Sequence, residues 1–239
     1  MSLASVDAVV LCGGLGTRLK PVLPDGQKTM AEISGRPFLQ IVVDWLRAEG
    51  LRRLVFCAGH RADEVERFFA GRYPDMELAF SVEREPLGTA GALKNCAGLI
   101  RASTTLLVNG DSLCALRLQP FLDFHRDRGG AASLVAVAPG DRRDGGYLRV
   151  EAAGRVASFG EKSFFEGARL NAGVYCLERE ALDGIPAGRP CSLERETLPA
   201  LIARGVYAYD SETPLFDIGT PERLRQFREA YSAGFAESP

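Results

Sequence analysis

The stretch LCGGLGTRLKPVLPDGQKTM, residues 11–30, sets glycines beside one arginine and two lysines directly after a short apolar run. A loop leaving a strand exposes its amides, and glycines let those amides turn toward an anion with no side chain in the way. Such a loop suits phosphate. Arg18 adds a planar fork of donors for phosphate oxygens, and Lys28 a mobile point charge on the same loop, a set that suits a triphosphate. The spacing Gly13-Gly14-x-Gly16-x-Arg18 is neither the dinucleotide fingerprint nor the Gly-Lys-Ser/Thr loop of nucleotide hydrolases. A glycine-rich turn with two solvated cations is the competing reading of this loop taken alone. Further along, Asp111 ends the run TTLLVNGD and Asp217 stands in FDIGTP. Taken singly, each is as much a turn residue or helix cap as a metal ligand. His60 and His125 are the only histidines. With neither beside a candidate nucleophile in the sequence, histidine-based acyl transfer finds no support.

The elements that must position these groups alternate along the chain. DAVVLC, residues 7–12, reads as a strand ending at the glycines. PFLQIVVDWLRAEG, residues 37–50, places Phe38, Ile41, Val42, Trp45 and Leu46 at helical spacing before Gly50. LRRLVFCAG, ADEVERFFAG, ELAFSVE, TAGALKNCAGLI and TTLLVNGD continue the alternation, which is the pattern of a doubly wound parallel sheet. From about residue 131, AASLVAVA, GYLRVEA, RVASFGE and LNAGVYCL read as strands that extend the sheet in mixed directions, and a closing helix starts at Thr220-Pro221. The expected fold is α/β, with a mostly parallel central mixed sheet flanked by helices and ligands taken at the carboxyl ends of its strands.

Composition narrows the partners. The chain has 239 residues, 46% hydrophobic and 25% charged, enough for one sizeable core. A net charge of -2 and a pI near 5.8 argue against nucleic acid or an anionic membrane as partner. The N-terminal run carries no basic leader and no stretch approaches the roughly 20 apolar residues of a membrane span, so a cytoplasmic protein is expected. Cys12, Cys57, Cys96, Cys114, Cys176 and Cys191 show no paired spacing and are expected to be reduced, buried thiols. A homo-oligomer is left open.

In this order, LCGGLGTRL, a loop lysine, EPLGTAGAL, VNGD, GEK, LNAGVY and FDIGTPE resemble the sugar-1-phosphate nucleotidyltransferases, from Val9 to about Phe227. Within that family the likeness is nearest to the D-glycero-α-D-manno-heptose 1-phosphate guanylyltransferases, through EPLGTAGA, EKSFF and NAGVY. The resemblance implies one Rossmann-like nucleotidyltransferase domain over residues 1–239, with a nucleotide-binding half over about 1–130 and a sugar-phosphate-binding half over about 131–230. The reaction implied is GTP plus the heptose 1-phosphate, giving GDP-heptose and pyrophosphate. Mannose-1-phosphate guanylyltransferases and amino-sugar-1-phosphate uridylyltransferases share most of these motifs and remain alternatives. A non-catalytic sugar-nucleotide sensor is the alternative of another class.

By the same resemblance, Arg18 and Lys28 are the catalytic cations and Asp111 and Asp217 hold Mg²⁺. Leu11, Gly13, Gly14, Gly16, Thr17, Glu83, Gly88 and Thr89 bind the nucleotide. Tyr147, Glu161, Lys162 and Asn171 bind the sugar phosphate. Relatives that use uridine often carry glutamine where this chain has Glu83, and a carboxylate can accept from N1 and N2 of guanine. Three departures stand out. The usual Pro-Lys-Pro is Gln27-Lys28-Thr29, which removes two backbone locks and implies a less preorganised Lys28. The proline after Glu-Lys is Ser163. The usual Tyr-Gly step is Tyr147-Leu148, where a leucine side chain would crowd a sugar approaching the backbone.

Overall fold

The computed structural model describes residues 3–24, 26–161 and 164–234. Strands β1 (Asp7–Leu11), β2 (Arg53–Ala58), β3 (Glu77–Val82) and β4 (Thr104–Asn109) run parallel in the order β3-β2-β1-β4. The aliphatic runs of β1, β2 and β4 are buried on both faces, as a parallel sheet requires, while β3 at the edge is only partly covered. β1 shows why: Ala8 and Val10 enter one core cluster while Val9 enters the other, the period-two alternation of a strand. Helices α1 (Phe38–Ala48) and α2 (Ala62–Phe69) cover the first face through Phe38, Val42, Val65 and Phe69. Helix α3 (Gly88–Asn95) covers the second through Ala90 and Leu93.

The later chain adds α4 (Leu118–Arg128), β5 (Ala132–Val137), β6 (Gly146–Val150), β7 (Val156–Glu161), β8 (Arg169–Glu178), β9 (Val206–Ser211) and α5 (Pro221–Ser232). β8 is the pivot, antiparallel to β5 along one edge and, along the other, to β6 at Arg169 and Leu170 and then to β4 from Val174 on. β7 closes the edge beside β6, and β9 lies parallel to β5. The result is one nine-stranded mixed sheet with a parallel core, as the alternation implied. The elements that escape pattern reading include α4 and β9. α4 carries Pro120 in its first turn and a polar second half, and β9 is a short half-buried run of alternating small and aromatic residues.

Because β1 to β4 are parallel, their carboxyl ends open at one edge of the sheet. Backbone bonds from Cys12 N to Cys57 O (2.9 Å), Gly110 N to Leu11 O (2.8 Å) and Glu83 N to Ala58 O (2.8 Å) hold the following loops in register. All six cysteines are free and buried, which agrees with the reduced thiols expected. Among the described residues no helix is long and apolar enough to cross a membrane.

Candidate active site

The glycine loop leaves β1 and passes over the ends of β2 and β4. Gly16 adopts φ +58°, and a Cβ placed on it would lie 2.9 Å from Cβ of Lys28, so only glycine lets the lysine stem pack against the loop. A Cβ on Gly13 would meet Glu83 Oε1 at 2.8 Å, which places the Glu83 carboxylate directly over the start of the loop. Leu11, Gly13, Gly14, Gly16, Thr17, Glu83, Gly88 and Thr89 all line one cavity of about 440 Å³, with Asp111 at its edge. Glu83 is half-buried there and accepts from Leu87 N at 2.8 Å through Oε2. Burial pushes its carboxyl up, opposed by that amide.

Lys28 is held more firmly than the loss of two prolines implies. Gln27 is only 1% exposed; its Oε1 accepts from Thr29 N (2.5 Å), Thr29 Oγ1 (2.7 Å) and Met30 N (3.1 Å), while its Nε2 donates to Cys12 O. One buried amide thus ties the lysine turn to the glycine loop, correcting the expectation of a loose Lys28. Lys28 Nζ donates to Asp111 Oδ2 at 2.5 Å.

A short antiparallel ladder brings the backbones around Asp111 and Asp217, far apart in sequence, next to one another. Asp217 pairs in register with Ser112, Phe216 with Leu113, and Ile218 N donates to Asp111 O at 3.0 Å. Asp217 is engaged at both oxygens. Oδ2 accepts from Arg142 Nη1 at 2.7 Å, and Oδ1 accepts from Gly219 N at 2.9 Å and Arg223 Nη1 at 3.2 Å. Arg18 reaches toward the same turn: its Nη2 lies 3.3 Å from where a Gly219 Cβ would stand. Arg18 is exposed and makes no ion pair with a described residue.

A second cavity of about 250 Å³ opens beside the first, with Asn109 common to both. Tyr147 and Asn171 line it, together with Tyr175 and Glu194, which the sequence reading missed. Asn171 sits at a register shift in β8 and donates from Nδ2 to Tyr175 Oη at 2.9 Å. Tyr175 donates onward to Glu194 Oε1 at 3.0 Å. Glu194 Oε2 accepts from Thr89 Oγ1 at 2.9 Å, so the expected nucleotide residue Thr89 spends its hydroxyl on the wall between the cavities. Asn109 Oδ1 is buried with no partner. Glu161 ends β7 beside Gly146, with only its backbone described. Lys162 and Ser163 lie outside the described residues.

Two expectations are revised here. Leu148 is fully buried in the core on the second face and does not line the smaller cavity, because side chains alternate along β6; Tyr147 packs into the core on the first face, bordering that cavity but with no exposed surface of its own. His125, in turn, does stand beside a hydroxyl: Nδ1 is 2.9 Å from Ser133 Oγ and Nε2 2.9 Å from Glu178 Oε1. The fold makes that contact by packing α4 against β5 and β8. Ser133 has no exposed surface, so no substrate reaches it and acyl transfer still finds no support.

A family model described as nucleotidyl transferase matches residues 7–234. The chain belongs to the nucleotidyl transferase family. This nucleotidyl transferase is 36% identical to mannose-1-phosphate guanylyltransferase of Mycobacterium tuberculosis, an alignment spanning 100% of this chain and 68% of that relative. It is 28% identical to D-glycero-α-D-manno-heptose 1-phosphate guanylyltransferase of Aneurinibacillus thermoaerophilus, over 92% of this chain and 96% of the relative. Among solved structures, HddC from Yersinia pseudotuberculosis superposes with a TM-score of 0.84 at 32% identity, covering 95% of this chain and 99% of that one. The same values hold for HddC complexed with GMP-PN.

Proposed function

We propose that this nucleotidyl transferase moves a guanylyl group from GTP to a sugar 1-phosphate, with D-glycero-α-D-manno-heptose 1-phosphate as acceptor, giving GDP-heptose and pyrophosphate. The observation that carries the base is Glu83. Its Oε2 is tied to Leu87 N, and the carboxylate overhangs the glycine loop in the larger cavity. Guanine presents N1–H and N2–H, donors that a carboxylate accepts and that uracil cannot match with its single N–H between two carbonyls. A relative 32% identical is known complexed with GMP-PN, which supports the same base.

In the proposed reaction an oxygen of the sugar phosphate attacks the α-phosphorus in line and pyrophosphate leaves. The nucleophile already carries nearly two charges at neutral pH, its second pKa being about 6, so no side chain need remove a proton. What the chain supplies is position and opposite charge. The amides of Gly13 to Thr17 and the Arg18 fork hold the triphosphate. Lys28, fixed through Gln27, neutralises charge between the two substrates. Tyr147, Glu161, Lys162 and Asn171 hold the sugar phosphate. Asp111 and Asp217 would form the donor set for Mg²⁺. Two carboxylates, one on a strand and one in the turn before its partner strand, would suit an ion that takes few carboxylates. When bound, Mg²⁺ supplies charge neutralisation at the phosphates. Six buried free thiols suit a reducing compartment, and we place the protein in the cytoplasm.

A second reading, mannose 1-phosphate as acceptor, is favoured by the 36% identity to the mycobacterial enzyme. The base assignment is tested by Glu83→Gln. Losing a charge-assisted pair should lower kcat/KM for GTP about tenfold to a hundredfold while UTP gains relative to GTP. An equal fall for both nucleotides would remove Glu83 from base selection.

A further inference from the structure

Asp217 cannot ligate a cation while both of its oxygens are held by guanidinium groups, and Arg142 is the partner best placed to leave. Arg223 belongs to helix α5 and is braced a second time by Asp144. Arg142 belongs to the loop between β5 and β6, and among the described residues its guanidinium holds only Asp217 Oδ2 (2.7 Å) and Leu215 O (3.0 Å). The loop itself is fixed independently, because Tyr147 Oη donates to Arg142 O at 2.8 Å and Arg142 N donates to Pro139 O at 3.1 Å. The backbone can therefore stay while the side chain turns. Two residues further on, the chain forms the wall of the smaller cavity, through Asp144 and Gly145 of the loop and Gly146 at the start of β6. Arg142 thus sits on Asp217 two residues before the wall of the sugar-side cavity, its own side chain lining a separate cavity with Val137, Leu170 and Leu215, whereas the glycine loop lines the nucleotide side.

We infer that Arg142 is a binding residue for the sugar 1-phosphate, parked on Asp217 in the substrate-free chain and exchanging that carboxylate for the phosphate dianion when a divalent cation takes Asp217. This deepens the guanylyl-transfer reading and rests on it. The exchange keeps charges matched at each stage. The guanidinium gives up one carboxylate for a dianion that suits its planar fork, and the carboxylate gives up a monovalent partner for a divalent one. It also links the two events, since neither partner of the pair is released without a replacement.

The test is Arg142→Met, with Arg142→Lys beside it, in the full chain. In steady-state assays with GTP, Mg²⁺ and the accepted sugar 1-phosphate, the methionine variant should raise KM for the sugar phosphate about tenfold or more with KM for GTP within about twofold, and lysine should recover part of the loss. In the substrate-free chain, Mn²⁺ titration followed by electron paramagnetic resonance should show about threefold or more tighter binding in Arg142→Met, because a competing cation has gone. An unchanged sugar-phosphate KM, a parallel rise in both KM values, or Mn²⁺ binding no tighter than wild type overturns the proposal. Absence of wild-type turnover with every sugar phosphate would instead strike the guanylyl-transfer reading, while the Mn²⁺ titration still reports on the parked pair.

Discussion

At the scale of single residues, the outcome turns on how few groups hold the charged ones in place. Gln27 is the example: it stands where relatives have proline, yet its buried side-chain amide engages three donors and one carbonyl of the glycine and lysine loops, of which Met30 N also has a backbone acceptor in Gln27 O. Gln27→Ala should therefore lower stability by about 1–3 kcal/mol, read from denaturant melts, because it strands buried polar groups. It should also lower kcat more than it changes KM for GTP, since Lys28 loses its support. Asp111→Asn should abolish turnover while leaving the fold intact, as near-UV circular dichroism would show. The types and positions of Arg18, Lys28 and Asp111 were legible in the sequence, because charge beside glycine has a chemical reading of its own. The role of Gln27 was not. An isolated glutamine in a loop says nothing until the chain places Cys12 and Thr29 around it.

At the scale of elements, the ladder between residues 112–113 and 216–217 does what no motif announces: it brings together backbone segments that carry acids far apart in the sequence. The polar relay from Thr89 through Glu194 and Tyr175 to Asn171 does the same for the two cavities. Tyr175 is wholly buried, and burial with the Glu194 charge holds its phenol well above the ordinary range, so it remains a donor. Tyr175→Phe should cut that relay. KM for the sugar phosphate should rise about threefold to tenfold, KM for GTP should hold, and the melting temperature should fall modestly, as expected for one lost hydrogen bond to a charged group. The strands and first helices could be read from period and punctuation. Glu194 could not, because SLERETLP looks like a solvated stretch until Thr89 and Tyr175 close on it. Leu148 was misread for a similar reason, since the face of β6 that meets solute is set by its neighbours, β7 and β8.

At the scale of the whole molecule, the sheet carries the active edge at one end and a polar cluster of buried His125, Ser133 and Thr104 with half-buried Glu178 at the other. Burial holds His125 below its ordinary value of 6.5, with Glu178 opposing. The unfolded chain therefore takes up the proton first as pH falls, so this contribution to stability is complete above about 6.5 and is lost as pH drops through the lowered value. Melting temperature should fall between about pH 7 and 5, and His125→Gln should flatten that slope; a slope equal to wild type would show that other groups set it. The parallel core was legible because strand and helix patterns alternate with few interruptions, whereas α4 and β9 depended on tertiary packing that overrode a weak local pattern. The central claim concerns the reaction, and pyrophosphate release tests it most directly. Purified chain with Mg²⁺ would be offered ATP, GTP, CTP, UTP and dTTP, each against heptose, mannose, glucose and N-acetylated amino-sugar 1-phosphates. The account predicts turnover with GTP and the heptose 1-phosphate, lost in Asp111→Asn. Turnover confined to another nucleotide, or nucleotide binding with no pyrophosphate from any pair, would contradict it.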